Sequence, residues 1–210
     1  MARSRWAAFA VLASIMLAAC SGGGDKSAAE GVVGDPKAGA GSAMVARSFE
    51  DLSEALDLAV PGGYMVQPDA VGDTGPSDLE KAVRDGGDDA RDVLTRTGFV
   101  RGYQRMWAHS RGEEIVSYVY QFAQPAGAAE YTQRVSAAAG APAEGVSIDV
   151  FRVSGIADSK GVNVTAAASA SSSVIFVKGP YSVEVVVNSV SPAGLESLVT
   201  ALAEEQYSRL

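Results

Sequence analysis

An α+β fold, a mostly antiparallel sheet packed with helices in one domain, is predicted by three features of this 210-residue chain. Residues 99–187 run as short apolar stretches of period two, separated by polar turns, which is the signature of strands joined to their neighbours in sequence. Five segments with apolar residues three and four apart flank or interrupt those strands. Such an order argues a sandwich of sheet and helices. An apolar content of 47% supplies enough side chains for a real core.

The elements follow in chain order. Ser48-Phe-Glu-Asp51 has the form of a capping box, with Leu52, Ala55, Leu56 and Ala59 as the apolar stripe and Pro61-Gly62-Gly63 as the stop. Ser77-Asp-Leu-Glu80 predicts a second box, opening a short helix that buries Leu79, Ala82 and Val83 and closes at Gly86-Gly87. A third helix carries Ala90, Val93, Leu94 and Thr97, with Gly98 at its C′ position. Strands are predicted at Phe99–Ala108 and Glu113–Ala123, as an antiparallel pair, and a helix at 126–139 ends at Gly140. Three or four more strands follow, at 148–153, 162–166, 174–177 and 181–187, the last two around a Lys178-Gly179-Pro180 hairpin. Ser191 as N-cap, Pro192 at the first helical position and the stripe Leu195, Leu198, Val199, Leu202 predict a closing helix.

The first twenty residues carry an address. Arg3 and Arg5 precede an apolar run from Trp6 through Leu17, too short to cross a bilayer, which needs about 20 apolar residues. The run ends in Leu17-Ala18-Ala19-Cys20, which closely resembles the lipobox of bacterial lipoproteins. In that class the Cys thiol receives a diacylglycerol, the signal peptidase cuts before it, and the new N-terminus is open to further acylation such as a palmitate chain. The resemblance thus implies a signal peptide over 1–19, with Leu17, Ala18 and Ala19 as peptidase recognition and Cys20, the sole cysteine, as the lipidated residue. Two acyl chains suffice for stable anchoring. Residues 20–47 are rich in Gly, Ala and Ser and lack apolar periodicity, so they read as the lipidated Cys and a disordered tether about 27 residues long, spanning roughly 28 Å. The extracytoplasmic domain is then 48–210.

Composition excludes several activities. A net charge of −8, falling to −10 once Arg3 and Arg5 are removed, argues against nucleic acid as a partner. One Cys and one His rule out zinc or iron–sulfur sites built on several of either. The acids between Asp69 and Asp89 lack EF-hand spacing, and Asp78, Asp88 and Asp89 read as helix-start residues, so no metal and no cofactor is expected. His109 lies in a turn with no identifiable nucleophile, and no Gly-x-Ser-x-Gly elbow occurs. One face of the first long strand, with Phe99, Arg101, Tyr103, Arg105 and Trp107, is the candidate ligand surface. Arginines stacked on aromatics suit an anionic or glycan ligand, and the plainer alternative packs the aromatics under a helix with the arginines at the rim.

The lipobox, the Ala/Gly-rich tether and the acidic Ala-rich domain together resemble cell-envelope lipoproteins of actinobacteria. Gly98-Phe-Val-Arg-Gly-Tyr103, Tyr118-Val-Tyr-Gln-Phe-Ala123 and Ala128-Ala-Glu-Tyr131 are similar to stretches of such lipoproteins and of sensor-type extracytoplasmic domains, some with a Mog1/PsbP-like sandwich. That resemblance covers most of 48–210 and implies no catalytic residue. It implies a lipid-anchored domain at the outer face of the cell membrane, held through Cys20 and binding an envelope protein, glycan or lipid without catalysis. Two other readings stay open: a carrier sheltering a lipid or small apolar ligand between sheet and helices, and a carboxylate-based envelope hydrolase.

Overall fold

The computed structural model describes residues 47–68, 74–87 and 89–210. The expected signal peptide, Cys20 and nearly all of the expected tether, with Asp69, Asp73 and Asp88, lie outside the described residues. In chain order the elements are α1 (Phe49–Ala55), β1 (Tyr64–Val66), β2 (Gly75–Ser77), α2 (Leu79–Gly86), α3 (Ala90–Thr97), β3 (Phe99–His109), β4 (Glu114–Phe122), α4 (Pro125–Ala139), β5 (Ser147–Phe151), β6 (Lys160–Ala166), β7 (Ser169–Lys178), β8 (Tyr181–Ser189) and α5 (Leu195–Arg209). The strands form one eight-stranded sheet in the order β1-β3-β4-β8-β7-β6-β5, with β2 also on the outer edge of β3. Every pairing is antiparallel. The α+β class predicted from the sequence is the class of the structure.

The local signals act largely as expected. The box at Ser48 is complete: its Oγ accepts from Asp51 N at 3.1 Å while Ser48 N donates to the Asp51 carboxylate at 2.8 Å. Gly98 closes α3 in the left-handed conformation, and Gly179, φ 56°, turns the β7–β8 hairpin. Four expectations are corrected. The cap of α2 is Asp78, whose carboxylate accepts from Lys81 N at 2.8 Å, because Ser77 is drawn into β2 by pairing with Gly102. α5 starts at Leu195 after a left-handed Gly194, and Ser191-Pro192 form a separate turn, Ser191 Oγ accepting from Ala193 N at 3.3 Å. α1 ends at Ala55, so the helical stripe breaks there, leaving Ala59 exposed and Leu58 buried. β7 starts at Ser169, since its Ser-rich start pairs with β6 on one side and β8 on the other.

The sheet has two differently covered faces. The first carries α1 and α5 and buries Trp107, Ile115, Val119, Phe176, Val183, Val185 and Val187 against Leu52, Leu56, Val199 and Leu202. A buried amide ties this layer together: Gln206 donates to Ala55 O at 2.7 Å and accepts from Ser117 Oγ at 3.1 Å. The second face carries α2, α3 and α4, which bury Tyr120, Phe122 and Phe99 with Ala82, Leu94, Ala128 and Tyr131. Gly127 lets α4 approach α3, because a Cβ there would strike the Thr97 carbonyl. A smaller core joins Ala139 to Val162 and Ile175. The three cores draw on residues from Leu52 to Leu210 around a single sheet, a complete folding unit.

Candidate functional site

The aromatic–arginine face predicted on β3 is divided by the fold. Register shifts between Phe99 and Arg101, leaving Val100 unpaired and 42% exposed. That bulge reverses the alternation, so Phe99 joins the second-face core while Tyr103 and Trp107 join the first. Trp107 is 3% exposed. α1 packs on this part of β3. Arg105 donates to Asp57 Oδ1 at 2.8 Å and to Ser53 Oγ at 2.9 Å, and Arg101 lies over the Phe49 ring at 5.3 Å. The five side chains therefore do not form one surface.

His109 is held in place by its neighbours. Its ring meets Tyr64 edge-on at 5.2 Å, and its Nδ1 accepts from Arg111 N at 3.1 Å and lies 3.8 Å from the Glu113 carboxylate. This is the chemistry of a closed β-turn. Among the described residues no cluster of three His, Cys, Asp or Glu could hold a metal.

Two further regions lie apart from these side chains. A cleft of about 300 Å³ lies between the first face of β5–β6 and the start of α5, where Asp149, Thr165 and Glu196 meet. Two of its polar side chains are engaged: Asn163 Nδ2 donates to Glu196 Oε2 at 2.6 Å, and Asn163 Oδ1 accepts from Ser172 Oγ at 2.6 Å.

The second region is the part of the second face beyond α2 and α4. Cross-strand pairing sets its side chains in rows. Gln104, Tyr118, Glu184 and Ile175 form one row across β3, β4, β8 and β7. Met106, Val116, Val186 and Ser173 form the next, and Met65, Ala108, Glu114 and Asn188 the one after that. Met106, Val186 and Ala108 are half-buried, Met65 is 72% exposed, and none of them belongs to the three cores. Glu184 marks the boundary between covered and open sheet. Burial, the sole cause, raises its pKa to about 7. Burial likewise pushes the Tyr120 and Tyr131 hydroxyls beneath the helices well above the usual phenol range.

Glu184 is not singled out by any motif, but its strand carries a signal. It is the one acid in Tyr181-Ser-Val-Glu-Val-Val-Val, a strand whose alternate residues Val183, Val185 and Val187 are all buried.

No protein-family model and no curated protein matches the chain. Among solved structures it is similar to the extracellular domain of PknH from Mycobacterium tuberculosis, with 13% identity and a TM-score of 0.48 over 77% of this chain and 97% of that one.

Proposed function

We propose that this is a lipid-anchored extracytoplasmic domain that binds a component of the bacterial envelope and performs no catalysis. The observation that carries the reading is the end of the leader, Leu17-Ala18-Ala19-Cys20, where the only cysteine of the chain stands at the position that thioether formation requires. The Gly/Ala/Ser-rich tether behind it supports the same reading, since its length lets a folded domain stand clear of the headgroups. The acidic balance of the chain makes a covalent anchor the means of holding it near anionic lipid. Binding is favoured over chemistry because the lone histidine is spent on a turn and the lone thiol on the anchor.

The test is intact-mass analysis of the protein expressed in a high-GC actinobacterial host, wild type beside Cys20→Ala. The expected wild-type species begins at Cys20 and carries a diacylglycerol mass, and the variant loses both features. An unprocessed or acyl-free wild-type chain would overturn the anchored reading.

A further inference from the structure

A carboxyl group at the inner end of an apolar floor costs folding energy unless something offsets its charge. Glu184 shows no such offset, since burial is the sole cause of its raised pKa. The charged and titratable groups from the packed elements are Lys81 and Asp85 on α2, Tyr131 and Arg134 on α4, Tyr118 and Tyr120 on β4, Lys160 on β6, and, two rows along the same face of β4, Glu114, which has interactions of its own. The cations among them are committed elsewhere. Lys81 pairs with Asp85 at 2.7 Å and also reaches Gln104, Arg134 pairs with Asp89, and Lys160 donates to the Ser136 carbonyl. Burial alone, with no nearby cation, governs the Glu184 carboxyl.

The floor leading away from it is mostly apolar and part-exposed: Met106, Val186 and Ala108 are half-buried, Met65 is 72% exposed, and Val116 at its base is 8% exposed. Met106, Val116 and Val186 lie one row beyond Glu184, and Ala108 and Met65 one row further. Two rows correspond to four residues along a strand, ~13 Å at the usual rise per residue. A charged end and an apolar strip of that length define an amphiphile by complementarity.

We propose that this half of the second face binds an amphiphile with a protonated amine head, its ammonium against the Glu184 carboxylate and its hydrocarbon chain along Met106, Val116 and Val186 toward Met65. The site deepens the binding reading above and rests on it. The amine supplies the counter-charge that the fold withholds, and the chain covers the strip that α2 and α4 leave open.

The experiment is calorimetric titration of residues 47–210 with decylammonium chloride below its micelle concentration, beside decanol and decanoate as chain-matched controls. The expected result is saturable one-to-one binding of the amine, at least tenfold weaker binding of decanol, and weaker binding still of decanoate. Glu184→Gln should lose tenfold or more in affinity for the amine and none for decanol. Val186→Ser, which keeps the carboxylate, should weaken amine and alcohol together by a few-fold. Between pH 5.5 and 8 the amine stays protonated while Glu184 ionises as pH passes about 7, so affinity rises with pH in wild type and stays flat in Glu184→Gln. Equal affinity for amine and alcohol, an unaffected Glu184→Gln, or no binding by a folded domain would each overturn the site. Those results leave the anchored reading standing, because acylation of Cys20 is read separately by mass.

Discussion

The two faces of the sheet are built by the same strands, and β8 shows how differently they are finished. On the first face its residues Val183, Val185 and Val187 are each at most 1% exposed beneath α1 and α5. On the second face the intervening residues Glu184, Val186 and Asn188 are all half-buried. The first face is a core: α5 runs along β7 and β8 and turns a continuous apolar stripe onto them. The second is a core only where α2, α3 and α4 reach, around Tyr120, Phe122 and Tyr131. Apolar side chains beyond that line are finished by no helix among the described residues. A half-closed face of this kind tolerates a charged residue at its margin, which the closed face does not.

The contrast can be broken from either side. The largest expected effect is on the closed face. Phe176 is fully buried and stacks edge-on with Tyr207 at 5.6 Å, so Phe176→Ala should cost about 3 to 5 kcal/mol in urea unfolding. A loss below 1 kcal/mol would mean that α5 does not seal this layer.

The intermediate effect is a gain at the margin of the open face. In the unfolded chain Glu184 ionises near 4.3, whereas in the folded protein it does so near 7. Between those values the folded state keeps a proton that the unfolded state has released, so stability falls as pH rises from ~4.3 to about 7 and is level above that. Glu184→Gln removes the fall. It should stabilise the domain by up to about 3 to 4 kcal/mol at pH 8 and leave stability at pH 4 nearly unchanged. Chemical unfolding at the two pH values is the check, and an equal shift at both would refute the linkage.

The smallest effect belongs to the open floor. Val186→Ser should lower stability by less than about 1 kcal/mol, because a half-buried side chain outside the cores has little contact to lose. A loss as large as that of Phe176→Ala would show that the strip is sealed after all.

Much of the architecture was legible in the chain because its signals are local. The boxes and stripes of α1 and α3, Gly98 and the β7–β8 hairpin each depend on residues within a few positions of one another. What failed did so where a distant partner overrode the local choice. Ser77 is an acceptable cap until Gly102 pairs with it, and Ser169-Ala-Ser-Ser-Ser is a poor strand until β6 and β8 flank it. The candidate surface failed for a different reason. Period two places Phe99 beside Tyr103 and Trp107, and a single unpaired residue at Val100 sends it to the other side.

By itself the sequence determined the fold class, because hydrophobic period and turn chemistry are written residue by residue. It also determined the expectation of a lipid anchor, because a lipobox is a short contiguous word. Only the tertiary structure decided which face of the sheet is closed and that Glu184 stands at the edge of the open one. Those facts depend on where α2, α4 and α5 come to rest over strands up to a hundred residues away in the chain, and no local pattern encodes that coverage.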